Sequence, residues 1–219
     1  MEQLDQVIAI IAITMGVGWA SGINLYATLL ALGLMANLGH VTLPGELQVL
    51  ADPLVIAAAG LMYMVEFGAD KIPGVDTGWD AIHTFIRIPA GALLAASAIG
   101  DMSPALQIAA ALVGGSLAAT SHATKAGGRV MINTSPEPMT NWAASIGEDV
   151  AVIFGLWAAL QYPWLFLILL VLFIAMVIWL LPKIWAGVKG IVRRLRQLFG
   201  GGKAVEPVVD SPPALGPPE

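Results

Sequence analysis

The chain has 219 residues, 58% of them hydrophobic and 11% charged, and its mean hydropathy is +0.81. A soluble domain carries about 25% charged residues to wet its surface, so this composition excludes a water-soluble fold and leaves a bilayer as the solvent for the apolar surface. Fifteen acidic against ten basic residues give a net charge of -5, and the absence of cysteine excludes disulfides, thiolate catalysis and cysteine-ligated zinc.

At about 20 residues per span, the length holds roughly six or seven helices with short connections. The opening Met1-Glu2-Gln3-Leu4-Asp5 is acidic where a signal peptide is basic, so no signal peptide is expected. An apolar run over 7–38 follows. As one helix it would measure about 48 Å against a hydrocarbon core of about 30 Å, so it must tilt, turn or break. Ser21-Gly22-Ile23-Asn24 is the expected break, because glycine and two side chains that compete for backbone hydrogen bonds interrupt the run. Two pieces of about 14 residues each fall short of a span, which predicts a broken or re-entrant pair.

Residues 40–52, with Pro44 and Gly45, read as an amphipathic loop. A second apolar run, 53–67, leads into a polar segment containing Glu66, Asp70, Lys71, Asp76 and Asp80. Helix resumes near Trp79, carries His83 and Arg87, and meets Pro89, where a kink or a late start is expected. Pro104 suits the first turn of the next helix, which is predicted to end near Ser121 and to pack through Gly114-Gly115-Ser116. A second polar segment, 122–141, holds His122, Lys125 and Arg129. Another helix carries Glu148 and Asp149 into an apolar run ending near Gln161, and 164–181 is the cleanest span.

Six of the ten basic residues (Lys183, Lys189, Arg193, Arg194, Arg196 and Lys203) lie beyond that span, which places the C-terminal segment in the cytoplasm by the positive-inside rule. Three regions follow: a transmembrane bundle over 1–182, a basic amphipathic interfacial helix over 183–199, and a glycine- and proline-rich disordered tail over 200–219. The basic cluster is too short and too near the membrane for nucleic acid. A possible internal repeat joins Ile56-Ala57-Ala58-Ala59 and the 68–74 segment to Ile108-Ala109-Ala110-Ala111 and the 122–128 segment; paired polar breaks of this kind point to transporter sites.

The candidate site residues cluster in two stretches. Glu66 and Asp70 are four apart, and Asp76, Asp80, His83 and Arg87 are spaced by four, three and four, one stripe of a helix. Such groups at membrane depth face a bundle interior or an aqueous cavity. The carboxylates and imidazole of that stripe could hold a divalent cation or relay protons, or be wet interfacial charges with Arg87 paired to Asp80 or Asp76. In the second stretch, Glu148 and Asp149 look deepest, and Lys125 and Arg129, four apart, are their natural partners. His40, His83 and His122 are too scattered for a zinc motif, and Gly127-Gly128 lacks the spacing of a phosphate loop.

Residues 22–26, Glu66-Phe67-Gly68-Ala69-Asp70-Lys71-Ile72-Pro73-Gly74-Val75-Asp76, 79–87 and 133–138 carry a resemblance. Through them the chain resembles the bacterial membrane family catalogued as domain of unknown function 4126. The resemblance implies a polytopic protein of the bacterial inner membrane and no particular substrate. Glu66-Phe67-Gly68-Ala69-Asp70-Lys71 is also similar to the Glu-x-Gly-Asp-Lys signature of cation/proton exchangers related to the Golgi manganese transporter family. It departs from it by the inserted Ala69 and by the lack of a second copy.

The expectation is an all-α, polytopic transmembrane helix bundle of about six spanning or half-spanning helices, some broken or re-entrant. It would be a small transporter or channel for an ion or small solute and not an enzyme, or alternatively a membrane-structural or lipid-handling protein. Its partners would be the lipid bilayer and a cation or proton. No cofactor is expected, the metal question is open, and a homo-oligomer is possible. The pathway would use Asn24, Glu66, Asp70, Lys71, Asp76, Asp80, His83, Arg87, His122, Lys125, Arg129, Glu148 and Asp149, with acids of the first stretch meeting bases of the second.

Overall fold

The computed structural model describes residues 2–134 and 138–199, without the side chains of 138 and 195–199. The tail expected to be disordered, 200–219, lies outside the described residues. Seven α-helices follow one another: α1 (Glu2–Ile23), α2 (Leu25–Asn37), α3 (Pro53–Ala69), α4 (Val75–Ile99), α5 (Pro104–Ile132), α6 (Pro138–Gln161) and α7 (Pro163–Phe199). A short 3-10 helix, Gly45–Ala51, precedes α3, and no strand occurs among the described residues. Helices α1, α4, α5, α6 and α7 are each long and apolar enough to cross a membrane, and α3 with the 3-10 helix, bent by 72°, makes a sixth candidate.

Local chemistry sets the ends of these helices. Asn24 is extended, at φ -147° and ψ 100°, and its side chain accepts from the Ala27 amide, so it closes α1 and caps α2. Asp52 and Ser103 do the same for α3 and α5, each followed by proline at the first helical position. Gly74 and Gly100 flank α4 at φ 86° and 67°, where a Cβ would be strained.

Two boundaries and the internal repeat differ from the sequence reading. α5 does not stop near Ser121 but runs eleven residues further to Ile132, because Lys125 and Arg129, one turn apart, find buried carboxylates across the bundle. α7 passes through Pro182 to Phe199 as one helix, so the expected division at 182/183 falls inside a continuous element. The proposed repeat is not matched in structure: residues 70–74 form a turn, whereas 122–128 lie within α5.

Contacts fix the direction of each helix. Gly16 faces Ala159 and Gly155 faces Trp19, while Asn24 bonds Asp149, so α1 runs antiparallel to α6. After α2, the His40 carbonyl lies beside Gln161 at the end of α6. α2 therefore returns from the level of Asp149 to that of Gln161, about 18 Å at 1.5 Å per residue. α1 and α2 form a re-entrant hairpin whose tip, Asn24, stops about halfway through the bundle. Residues 21–25 are all buried, which is the condition under which broken helix is tolerated at membrane depth.

The remaining helices alternate in direction and leave two unlike faces. One carries the connections at 38–52 and 100–103, where Gly45 packs on Gly100 and Ser97 bonds Glu46. Among the described residues its charges are Glu2, Asp5, Glu46, Asp52 and Asp101, with no lysine or arginine. The opposite face holds the 70–74 turn, the end of α5 and the basic end of α7 with Lys189, Arg193 and Arg194.

Lipid gives helices no hydrophobic reason to associate, so close backbone packing must do it. Gly18 stacks on Gly114, Gly91 on Ala118, and Gly114 on Ala95; Ala95 and Ala118 are fully buried. A Cβ on Gly114 would collide with Ala95 and approach the Gly91 carbonyl, whereas one on Gly68 meets nothing within 4 Å. Gly114→Leu should therefore lower the unfolding free energy in detergent by at least about 1–3 kcal/mol, while Gly68→Leu should leave the melting temperature nearly unchanged.

Candidate functional site

Three bases and four acids from four helices meet inside the bundle. Arg87 of α4 contacts Glu66 of α3 at 2.6 Å and Asp80 of its own helix at 2.8 Å. Lys125 of α5 lies 2.9 Å from Asp70, 3.5 Å from Glu66, 3.8 Å from Asp80 and 3.5 Å from Glu148. Arg129 of α5 lies 2.7 Å from Glu148 of α6 and 3.6 Å from Asp70. It also donates to the Asp70 and Asn141 carbonyls at 3.0 and 3.2 Å. The Glu66 and Arg87 side chains have no exposed surface, and only Glu148, 20% exposed, reaches outward.

The helical spacing explains the convergence. Glu66 and Asp70 share a face at the end of α3, Asp80 and Arg87 share a face two turns apart on α4, and Lys125 and Arg129 share one on α5. Arg87 lies twelve residues after Val75, hence about 18 Å along α4, near the middle of a membrane-sized helix. A lone charge there costs about 2.5–3.5 kcal/mol even on insertion scales. The shared ion pairs are the way these helices carry such charges.

The two histidines border the network in defined roles. Arg87 donates to His122 Nδ1 at 3.2 Å, so His122 Nε2 carries the proton and donates to Thr84 Oγ1 at 2.7 Å. Thr84 in turn donates to the Asp80 carbonyl at 3.0 Å. His83 Nδ1 donates to the Trp79 carbonyl at 2.9 Å, which leaves Nε2 to accept from Tyr26 at 3.2 Å.

Three expected members stand apart from the ion pairs. Asp76 accepts from Asn133 at 2.8 and 3.0 Å and from the Gly74 amide at 2.8 Å, tying the α3–α4 turn to the end of α5. Lys71 donates to the Phe67 carbonyl at 2.9 Å and to Ser145 at 3.3 Å, and lies over the Phe67 ring. Asp149, buried at 7% exposure, accepts from Asn24 at 3.0 Å and from Tyr63 at 2.9 Å. Among the described residues no lysine or arginine forms an ion pair with Asp149. The stripe Asp76, Asp80, His83 and Arg87 does face inward; Asp80 and Arg87 pair with each other, while Asp76 and His83 turn to separate partners. Among the described residues no three His, Asp or Glu side chains are placed to hold a metal ion.

The network is also incompletely bonded. Glu66 Oε2, Asp70 Oδ1 and Asp80 Oδ2 are buried without a hydrogen-bond partner in the protein, a costly state for carboxylate oxygens. A cavity of about 400 Å³ between α1, α5, α6 and α7 reaches this region; Lys125, Arg129 and Glu148 line its polar end, and Trp19, Phe173 and Met176 its apolar walls.

Tyr26, Tyr63, Thr84, Asn133, Asn141 and Ser145 complete the site and were not among the residues expected from sequence. Helical spacing could have shown several of them: Tyr63 lies one turn before Glu66, Thr84 one turn after Asp80, Asn133 one turn after Arg129, and Asn141 and Ser145 lead to Asp149 in steps of four.

Removing one partner of a buried pair strands the other charge, at about 3–5 kcal/mol. Arg87→Met should lower unfolding free energy by about that much, and adding Glu66→Gln should recover part of the loss. Both effects can be read from denaturant unfolding of the solubilised protein.

No curated protein and no solved structure matches this chain. Residues 11–183, which include every helix carrying the buried charges, match the family described as Domain of unknown function (DUF4126), and the chain belongs to that family.

Proposed function

We propose that this protein is a multi-pass transporter or channel of the cytoplasmic membrane that moves a proton or a small cation through the buried charge network. The observation that carries this reading is the surplus of buried carboxylate. Four acids share three bases, and Asp149, at the tip of the re-entrant hairpin, is held by the neutral donors Asn24 and Tyr63. A surplus carboxylate in a bundle interior is a place where a cation or proton is bound and released. The helix break at Asn24 adds the positive end of α2, which steadies the carboxylate when it is empty. Glu148, half in the network and half in the 400 Å³ cavity, is the entry from the basic face.

Enzymatic chemistry is not part of this reading. His122 is engaged by Arg87 and Thr84 rather than by a nucleophile, and the Ser121 hydroxyl donates to backbone carbonyls. The alternative, a membrane-structural or lipid-handling protein, draws its support from an apolar groove beside the basic end of α7.

Orientation follows from the two faces. Basic residues stay on the cytoplasmic side, so the face with Lys189, Arg193 and Arg194 is cytoplasmic, and the acidic face with Asp101 is outside. The chain has no cysteine of its own, which makes labelling direct. Cysteine in Met102→Cys should react with an impermeant maleimide from outside intact cells, and cysteine in Arg194→Cys only after the cytoplasmic face is opened. The reverse pattern overturns the orientation.

Transport is tested in liposomes with a trapped pH indicator and an imposed cation or proton gradient. The wild type should dissipate the gradient, Glu148→Gln and Asp149→Asn should each abolish the flux while eluting as folded protein, and Asp52→Asn should behave as wild type. Equal leak with and without the protein would transfer the weight to the lipid-handling reading.

A further inference from the structure

We infer that the groove between α4, α5 and α7 on the basic face binds one acyl chain of an anionic phospholipid, with the headgroup held by Lys189 and Arg193. This site is distinct from the charge network and does not depend on transport. The groove is about 840 Å³, within the roughly 300–1,000 Å³ usual for ligand sites. It is recessed because one wall is built from small residues, Ala81 on α4 and Ala123 and Ala126 on α5, while Ile184 of α7 closes against Gly127. Ile178, Ile184 and Val188 of α7 form the other wall, and no charged residue lines it. An apolar recess of this shape takes a flexible alkyl chain, where the flat outer face of a helix would meet only bulk lipid.

The headgroup end is set by α7. Twenty residues from Pro163 span about 30 Å, so the helix leaves the hydrocarbon near Pro182, beside the groove. Trp185 lines the rim, and the Lys189 ammonium lies 5.1 Å from its ring; tryptophan is favoured at this headgroup level. Arg193 follows Lys189 by one turn and shares its face. Residues 183–194 contain Lys183, Lys189, Arg193 and Arg194 and no acid. The two acids flanking the α4 wall are buried and engaged: Asp80 pairs with Arg87, and Asp76 bonds Asn133 and the Gly74 amide. Among the described residues the rim thus presents positive charge alone above an apolar slot, which complements a lipid with a net negative headgroup rather than a zwitterionic one.

The test is native mass spectrometry of the full-length protein released from nanodiscs of equal phosphatidylglycerol and phosphatidylcholine. The wild type should retain one phosphatidylglycerol in preference to phosphatidylcholine. Lys189→Gln with Arg193→Gln should weaken that retention by about thirtyfold, on the scale of two surface charges. Ala81→Phe, at an exposed position of the groove wall, should abolish retention of either lipid, and it serves alone if the charge variant fails to fold. Equal retention of the two lipids by the wild type, or phosphatidylglycerol retention unchanged by Ala81→Phe, overturns the proposal.

Discussion

Arg87 is a permanent cation with no exposed surface near the middle of a membrane-sized helix, and the arrangement of the bundle follows from what that charge requires. It must be met by anions arriving from more than one direction. Glu66 comes from α3 and Asp80 from the preceding turns of α4. Those two acids draw in Lys125, which draws in Asp70 and Glu148, which complete Arg129. A core of this kind is not the most stable one for its volume, because well-packed apolar side chains often do as well. Its presence in a chain otherwise so apolar is an argument for use rather than for stability.

The small-residue seam and the re-entrant hairpin serve the same end. Gly18, Gly91 and Gly114 let α1, α4 and α5 approach to backbone contact, which leaves little room for the charged side chains to relax away from one another. The α1–α2 hairpin brings a helix break, with its capping Asn24, to the level of Asp149 and no further. Asp149 is thereby separated from the ion pairs and given only neutral donors. One region sets four acids against three bases and the adjoining one carries a carboxylate met by neutral donors; the proposed transport of a proton or cation would use that division.

Much of this was legible in the sequence for simple reasons. Ser21-Gly22-Ile23-Asn24 interrupts a run too long for one span, and the spacing of Asp76, Asp80, His83 and Arg87 announces one inward stripe. The polar end of α5 was not legible as helix. Residues 122–132 look like a loop when read locally, and become a buried helix face only because Asp70 and Glu148 approach from elsewhere in the chain. Lys71, expected on the same pathway, turns instead to Ser145 and the Phe67 carbonyl. Asp76, Asp80 and His83, whose spacing allowed a shared divalent cation, turn to Asn133, Arg87 and Tyr26, since helical phase tells which face a side chain is on but not which neighbour it meets. Tyr63 and Asn24 as joint donors to Asp149 depend on the direction in which α2 returns, and no local pattern encodes that.

The central claim is that Lys125 is ion-paired with acids from α3 and α6 inside the bundle. Solid-state NMR of the protein in bilayers, with labelled lysine side-chain nitrogen and aspartate carboxyl carbon, measures this directly. One lysine signal, absent in Lys125→Arg, should show a carboxyl carbon at hydrogen-bonding distance, as the 2.9 Å contact with Asp70 requires. A Lys125 signal with no nearby carboxyl carbon, indistinguishable from that of Lys183, would contradict the account.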